Sequence, residues 1–434
     1  MRKLNVFLEI EGEQVLVGRI EGEGVSDARF SYDREYLTSA GAAAVSVSLP
    51  LRDEPFSALQ TRNFFEGLLP EGFTGRSVAQ WLHTDQDDYL AILFGLGQDC
   101  LGAIRITQDG MAESTPAYER LDSERIRELA AEGATVAAEL VTEARVSLTG
   151  ASGKVGLYYD ADADAWYLPH GTAPGTHIVK QSHIRYEDIV TNEQLVMMTA
   201  ARLGIDVPKS FIVRAGGAGS DSRRGGDGSV LYATERYDRS FRGSRRTVSG
   251  LPVPLRLHQE DLAQAMGVAF ARKYETEGEH YLRDVCDVIR NHSSDPLADL
   301  RRVWQIVCFD WLVGNTDAHL KNLSLLYAPD LSSVRLAPAY DLVSTVIYQG
   351  ISRDMAFSIG GKRAVSEIGR ESFAQAASEC GIAPNAVLRI LDETADRLEA
   401  AARASAEELC GLGFVQAPEL CGRILAEGGW KLLK

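Results

Sequence analysis

The chain has 434 residues, 45% of them hydrophobic and 24% charged, a composition typical of a globular protein with room for two or three domains. Its formal net charge of −16 disfavours a free-standing binder of DNA or of membrane surfaces, because neutralising phosphate groups requires a basic patch. The six cysteines include no C-x-x-C pair, which is typical of reduced thiols. The N-terminal residues alternate between apolar and polar side chains, whereas an export signal has a continuous apolar block. No apolar run reaches the ~20 residues that a membrane span needs. We therefore expect a cytoplasmic protein that does not bind membranes and reaches DNA only through a partner.

Residues 1–110 are predicted to form a small α/β domain. Residues 4–10 and 14–20 alternate apolar and polar residues around Glu11-Gly12-Glu13, which predicts a β-hairpin. Residues 44–49 alternate in the same way and predict a further strand.

The apolar spacing becomes helical from Thr61, and residues 103–106 predict another short strand. Residues 111–143 are acidic and rich in alanine and glutamate. This composition predicts a surface helix that serves as a linker between the first domain and the rest of the chain.

The segment 145–157, near the start of a second region at 144–240, places small residues between two apolar, strand-like stretches. Such a turn lets backbone N–H groups approach an anion closely and predicts a phosphate cradle; an ordinary hairpin turn is the alternative. A Walker A loop is excluded, because it requires a glycine five residues before Gly153 and Ser or Thr after Lys154, where the chain has leucine and valine.

Lys180 ends a predicted strand and is followed by a helix that carries Glu193 near its start. A lysine in a strand is commonly a solvated edge residue, but this order also matches the kinase pair that grips and orients nucleotide phosphates. The Gly-, Ser- and Arg-rich stretch 215–229 predicts a hairpin tip. Glu235 and Tyr237 would then lie where two lobes join and could hold a purine.

The third region, 241–434, is predicted to be mostly helical. Helices are expected at 260–270, 280–291, 298–312, 371–381 and 385–410. The last of them carries leucine and valine residues on one face and is predicted to pack in the core.

A polar cluster interrupts this region at 313–327. Asp317 and Asn322 are separated as D-x-x-x-x-N, the spacing with which kinase catalytic loops place a base beside the substrate hydroxyl and an amide on the metal. Asp341 follows where such enzymes carry a metal-chelating aspartate, and these oxygen ligands suit Mg²⁺. The spacing alone also occurs in ordinary turns. The order of loop, lysine, glutamate, linker, D-x-x-x-x-N and aspartate is nevertheless that of a kinase.

Two further polar side chains lie inside this cluster. His319 is interpreted as an orienting hydrogen-bond partner in preference to a proton acceptor, because metal-assisted phosphoryl transfer depends mainly on positioning and charge neutralisation. Lys321 either neutralises the transferring phosphoryl group or is solvated.

Taken together, these segments resemble the HipA family of serine/threonine kinase toxins from bacterial toxin–antitoxin pairs. The resemblance is carried by residues 63–70, 99–103, 147–154, 176–180, 235–238, 258–261, 314–322 and 340–341. It implies an α+β, bilobal protein-kinase-like fold, with a small N-terminal α/β domain and a mostly helical C-terminal lobe. It also implies ATP and Mg²⁺ as cofactors, a small helix-turn-helix antitoxin (HipB-like) as partner, and a protein substrate such as the aminoacyl-tRNA synthetases targeted in the family.

The resemblance also implies roles for individual residues. Asp317 is implied as the catalytic aspartate, with Asn322 and Asp341 as Mg²⁺ ligands. The implied phosphate-binding residues are Ser152, Gly153, Lys154 and Lys180, and the implied nucleotide-binding residues are Glu235, Tyr237, His319 and Lys321. Ser147 matches the family's autophosphorylated serine, an off-switch that displaces the phosphate loop. The chain lacks the H-R-D, D-F-G, A-P-E and G-x-G-x-x-G motifs of ordinary protein kinases, so regulation by activation-loop phosphorylation is not implied.

Two other functions share part of this pattern. A small-molecule kinase of the antibiotic-phosphotransferase type uses the same D-x-x-x-x-N and later aspartate, although the N-terminal domain argues against it. An inactive scaffold in an antitoxin repressor complex is the other, and the complete set of catalytic residues argues against that.

Overall fold

The computed structural model of the protein describes residues 2–97, 99–108, 115–132, 134–144, 153–181, 186–215 and 230–434. The first part of the chain contains β1 (Arg2–Ile10), β2 (Glu13–Gly22), β3 (Arg29–Tyr32), α1 (Arg34–Thr38), α2 (Ala58–Phe65), α3 (Gly72–Trp81), α4 (Tyr89–Leu96) and β4 (Ile104–Gln108). Its strands form an antiparallel sheet in the order β3-β2-β1-β4.

The predicted N-terminal hairpin is confirmed. β1 and β2 are joined by Glu11 and Gly12, whose φ angles are 50° and 91°, and turns with two left-handed residues match the twist of paired strands. Leu4, Val6 and Leu8 on β1 are buried, as expected for one face of a half-buried sheet.

Residues 44–49 do not form the predicted strand. Their backbone groups are bound by side chains from elsewhere in the chain: the Tyr32 hydroxyl accepts the Val45 N–H at 2.9 Å, and the Glu260 carboxylate accepts the Val47 N–H at 3.0 Å. Because a strand needs these groups for its neighbour, the segment stays irregular apart from one isolated bridge.

The second part of the chain contains β5 (Ala117–Arg120), α5 (Ser123–Glu132), α6 (Ala134–Ala144), β6 (Lys154–Asp160), β7 (Ala165–His170), β8 (His177–Gln181), α7 (Ile189–Arg202), β9 (Ser210–Arg214) and β10 (Val230–Glu235). The strands form a six-stranded antiparallel sheet in the order β5-β7-β6-β8-β10-β9. Lys180 on the interior strand β8 pairs with Lys154 on one side and Tyr232 on the other. The pairing of β9 with β10 confirms the second predicted hairpin.

The prediction of a surface helix for residues 111–143 is wrong where the segment is described. The segment supplies the edge strand β5 and two helices, of which α6 packs against α3, β6 and β7. Ala137, Leu140 and Val141 on α6 are buried. The overall composition of a segment does not show how its residues are distributed around a helix. The many acidic residues therefore gave no indication that one face of α6 is apolar.

The third part contains β11 (Arg239–Ser240), β12 (Thr247–Val248), β13 (Leu251–Pro252), β14 (Leu255–Arg256), β15 (Gln259–Asp261), α8 (Leu262–Ala265), α9 (Tyr281–His292), α10 (Pro296–Val313), β16 (Ser324–Tyr327), β17 (Val334–Leu336), β18 (Asp354–Ile359), β19 (Lys362–Ala364), α11 (Arg370–Glu379), α12 (Pro384–Gly411) and α13 (Ala417–Glu427). α12 packs against α10, α11 and α13, and also against α7 of the second part. This long helix therefore joins the second and third parts of the chain, which are the two lobes of the fold. The predicted α+β fold class is confirmed.

The helices predicted at 280–291, 298–312, 371–381 and 385–410 are confirmed, but the one at 260–270 is reduced to α8. The start of that range pairs with β16 as strand β15, and Gly267 at a φ of 66° follows closely after the helix, as left-handed glycines do at helix ends. Among the described ranges, no helix combines the length and the apolar character needed to cross a membrane.

Candidate active site

A cavity of about 660 Å³ lies between the two lobes, within the size range of small-molecule sites. Ten of the residues implicated by the sequence line it: Gly153, Lys154, Lys180, Glu235, Tyr237, Asp317, His319, Lys321, Asn322 and Asp341. Ser147 and Ser152 lie outside the described residues. The fold therefore brings every described candidate to one cleft.

The D-x-x-x-x-N loop begins where α10 ends. Gly314 caps the helix at a φ of 72°, and the Thr316 N–H then donates to the Thr345 hydroxyl at 2.7 Å. The Asn322 amide closes the loop by donating to the Asp317 carbonyl at 2.9 Å. These bonds fix the backbone on which the catalytic candidates stand.

The Asp317 carboxylate accepts a hydrogen bond from the Tyr274 hydroxyl. Burial raises the pKa of Asp317 above its ordinary value, although the Tyr274 bond opposes this rise. His319 packs edge-on against Tyr274, with 5.1 Å between ring centroids. Burial and the charge of Lys273 lower the pKa of His319 to about 3, so the imidazole is neutral and a poor proton acceptor at physiological pH.

Lys180 donates to the Glu193 carboxylate at 2.6 Å and also to the Asp341 carboxylate. Its side chain is 12% exposed, so the solvated-edge alternative is wrong. Burial alone would raise the pKa of Asp341, but the charges of Lys180 and Lys154 outweigh it and hold that pKa well below its ordinary value. Asp341 therefore stays ionised inside the cavity.

Lys154 lies directly across from Lys180 on neighbouring strands. Burial lowers the pKa of Lys154, and like charges at opposed strand positions repel one another. Within the described residues, Lys154 forms no ion pair with a carboxylate, whereas Lys180 forms two. This arrangement suits an additional anionic ligand such as a nucleotide phosphate.

The oxygens of Asn322 and Asp341 are of the hard type that Mg²⁺ prefers. Both residues line the cavity, an ionised carboxylate with an amide oxygen forms a hard-ligand set, and the Asn322 nitrogen is already bonded to the loop backbone. The amide oxygen is therefore the Asn322 atom available to a cation.

The connection between the lobes follows β10. The Arg236 N–H donates to the Thr176 carbonyl at 2.9 Å, and the Arg236 guanidinium is buried against Asp238. Tyr237 stacks on Tyr340, with 5.5 Å between ring centroids, and Glu235 lines the cavity beside it. All four residues from Glu235 to Asp238 line the cavity, so the connection forms one of its walls.

Lys321 is neither solvated nor free. It is buried, and its ammonium donates to the Asp261 carboxylate at 2.8 Å and to the Gly67 carbonyl at 3.0 Å. The alternative in which Lys321 is solvated is therefore wrong, because its ammonium is bonded to Asp261 and Gly67. Burial lowers the pKa of Lys321, but the charges of Asp261 and Glu71 outweigh it and raise that pKa.

Among the cavity residues that sequence reasoning missed are Glu71, Lys273 and Tyr274. Glu71 comes from the N-terminal domain and accepts a hydrogen bond from the Lys273 ammonium at 2.8 Å. Neither residue stands in a motif, and they are separated by about 200 residues of chain, so no local pattern indicated the pair.

Comparison with known families divides the chain in two. Residues 8–107 match the HipA N-terminal domain, and residues 146–402 match the HipA-like C-terminal domain. The second match alone covers more than half of the chain and includes the whole set of cavity-lining candidates on the two lobes.

Individual relatives extend over nearly the same length. The protein Y4mE of Sinorhizobium fredii is 32% identical over 91% of this chain and 93% of its own. The serine/threonine-protein kinase toxin HipA of Shewanella oneidensis is 27% identical over 81% of this chain and 78% of its own. A solved chain from the Shewanella oneidensis complex of HipA, HipB and operator DNA superposes with a TM-score of 0.77 at 21% identity, covering 98% of this chain and 96% of that chain.

Proposed function

The chain belongs to the HipA family, and on that premise we propose that it is an ATP- and Mg²⁺-dependent protein serine/threonine kinase acting as the toxin of a toxin–antitoxin pair. The observation that carries the proposal is the convergence of Lys180, Asp317 and Asp341 on one interlobe cavity. A phosphate-orienting lysine, a base and a metal-binding carboxylate are the parts that phosphoryl transfer requires.

Each part has a distinct role in this proposal. Lys180, held by Glu193, and Lys154 bind the nucleotide phosphates together with the backbone at Gly153. Asp317 accepts and orients the substrate hydroxyl. The neutral His319 packs against Tyr274, the side chain that holds Asp317, and so helps to orient the base.

The remaining residues hold the nucleotide and the metal. The base of ATP lies against the connection formed by Glu235 and Tyr237, whose ring is held by Tyr340. Asn322 and Asp341 hold Mg²⁺, which when bound neutralises the charge that develops on the phosphate oxygens.

The partner and the target are also part of the proposal. By analogy with the Shewanella oneidensis HipA, whose structure was solved with HipB and operator DNA, we assign this chain a small helix-turn-helix antitoxin. Because the chain is strongly acidic, contact with DNA would come through that antitoxin. The substrate is a cytoplasmic protein, with aminoacyl-tRNA synthetases as the family-level expectation, and autophosphorylation at Ser147 silences the enzyme.

Incubation of the purified chain with Mg²⁺, γ-labelled ATP and a cell lysate tests the function. We expect a labelled protein band that disappears when Mg²⁺ is chelated or when Asp341 is replaced by alanine. Label that enters only small molecules would identify a small-molecule kinase instead. An unlabelled lysate, with full binding of a purified antitoxin, would identify an inactive scaffold.

A further inference from the structure

The N-terminal domain reaches into the interlobe cavity through the segment that joins α2 to α3. The carbonyl of Gly67 accepts a hydrogen bond from the Lys321 ammonium at 3.0 Å. Glu71 accepts one from the Lys273 ammonium at 2.8 Å, and its second carboxylate oxygen lies 3.7 Å from Lys321. One short segment of the first domain thus contacts two lysines that line the same cavity as Asp317.

The Glu71 side chain contacts two lysines of the cavity and does not cap its own helix. Glu71 is the residue that precedes α3, a position whose side chain often caps the free N–H groups of the helix, yet it makes no such bond. The side chain is 11% exposed, and its Oε1 atom is buried and accepts no hydrogen bond from the part of the chain that the structure describes. Burial would raise the pKa of Glu71, but the charges of Lys321 and Lys273 outweigh it and lower that pKa. The carboxylate is therefore an anion paired with the buried Lys321 and the half-buried Lys273.

Both lysines are fixed to the D-x-x-x-x-N loop. Lys321 belongs to the loop, and the Lys273 carbonyl accepts the Leu320 N–H at 3.2 Å. The next residue, Tyr274, donates its hydroxyl to the Asp317 carboxylate. A displacement of Lys273 therefore moves the phenol that holds the base, and a displacement of Lys321 moves the loop that carries it.

We propose that the N-terminal domain completes the active site, with Glu71 as a positioning residue that holds the catalytic loop through Lys273 and Lys321. The inference rests on the proposed kinase function. Without the Glu71 charge, Lys321 would keep its ion pair with Asp261, whereas Lys273 would lose the one carboxylate with which it forms an ion pair within the described residues. The loop would relax away from the geometry that transfers the phosphoryl group.

The test compares two glutamate-to-glutamine variants of the full chain. Glu71→Gln removes the charge while keeping the shape. Glu66→Gln is the matched control, because Glu66 lies in the same segment and forms an ion pair with Arg62 at 2.9 Å but does not line the cavity. Initial rates of label transfer into the lysate band at varied ATP concentration give kcat and the KM for ATP, and binding of a fluorescent ATP analogue gives a Kd.

We expect Glu71→Gln to lower kcat roughly 10- to 100-fold, the loss typical of a small displacement of reacting groups. The KM and Kd for nucleotide should stay within about twofold, because Glu71 touches neither Lys180 nor the lobe connection, even where the loss of its ion pairs lowers the melting temperature. Glu71→Asp, which keeps the charge, should recover part of the lost kcat. Lys273→Met should also lower kcat, and its effect should not add to that of Glu71→Gln, since both changes break one pair.

Two results would overturn the inference while leaving the kinase assignment intact. One is a kcat for Glu71→Gln equal to those of Glu66→Gln and the wild type. The other is a parallel loss of kcat, nucleotide affinity and melting temperature, which would mean that Glu71 only stabilises the domain interface. Absence of any transfer by the wild-type chain would overturn the proposed function and this inference together.

Discussion

Glu260 connects the N-terminal domain to the C-terminal lobe and should make the stability of the protein depend on pH. It is fully buried on β15, where it accepts hydrogen bonds from the hydroxyls of Ser46 and Tyr327 and from the Val47 N–H. Burial raises the pKa of Glu260 from 4.5 to about 7, although these hydrogen bonds oppose the rise. The folded protein therefore binds a proton at this carboxyl more tightly than the unfolded chain does.

The sign and size of the effect follow from this difference. Between pH 4.5 and 7 the folded state holds the proton and the unfolded state has lost it, so the stability that Glu260 contributes is full below pH 4.5 and falls until pH 7. Over the range from pH 5 to pH 8, a pKa that rises from 4.5 to about 7 corresponds to a loss of about 2.5 kcal/mol in the free energy of unfolding.

Glu260→Gln removes this titration and keeps a neutral group of similar size. The free energy of unfolding would be measured for both proteins at several values between pH 5 and pH 8, by reversible urea unfolding monitored through the buried Trp304 and Trp311 of α10. The wild type should lose about 2.5 kcal/mol more than the variant across this range. Burial also raises the pKa of Asp310 to about 7, but that group titrates in both proteins and cancels in the comparison. Equal pH dependence in the two proteins would refute the reasoning.

Three further predictions concern the catalytic loop and the phosphate segment. Asp317→Ala and Asp341→Ala should each abolish label transfer and growth inhibition in protein that is still folded, because they remove the base and a metal ligand; wild-type transfer by folded Asp341→Ala protein would contradict the assignment. Gly314→Ala should lower the free energy of unfolding in urea by roughly 1–3 kcal/mol more than Gly361→Ala. Both glycines have a φ of 72°, but a Cβ at Gly314 would lie 2.2 Å from Val346, whereas a Cβ at Gly361 would meet no atom within 4 Å. Equal losses would show that Val346 moves aside. After incubation with Mg-ATP, mass spectrometry should find phosphate on Ser147, and Ser147→Asp should bind ATP more weakly than Ser147→Ala because the added charge competes with the nucleotide phosphates; unmodified Ser147 with equal affinities would remove the switch.

The elements that depend only on residues close together in the sequence could be predicted. The N-terminal hairpin follows from alternation around a two-residue turn, and the strand that carries Lys180 follows from a short apolar run. The order of Lys180, Glu193, Asp317 and Asp341 along the chain also indicated one cavity, because a phosphoryl-transfer site needs a fixed set of parts.

The wrong predictions share a physical cause, which is competition from distant parts of the chain. Residues 44–49 alternate like a strand, but Tyr32 and Glu260 take their backbone groups. The acidic segment 111–143 hides an apolar face that only α3 and the larger sheet reveal. A local pattern shows which secondary structures a segment can form, and tertiary contacts determine which of them it adopts.

The pairing of buried charges likewise depends on tertiary structure, and it explains how the N-terminal domain can act on the catalytic loop. Beside the connection between the lobes, six charged side chains are buried together: Glu9 and Asp99 from the N-terminal domain, and Arg236, Asp238, Arg239 and Arg256 from the kinase lobes. The three positive and three negative charges balance only while the domain is docked, and removing one side of a buried pair leaves an uncompensated charge that is strongly destabilising. The pairs of Glu9 and Asp99 with the three arginines form only in the docked arrangement, so they define one position of the domain against the kinase lobes. A defined position is what lets Glu71 act on the catalytic loop.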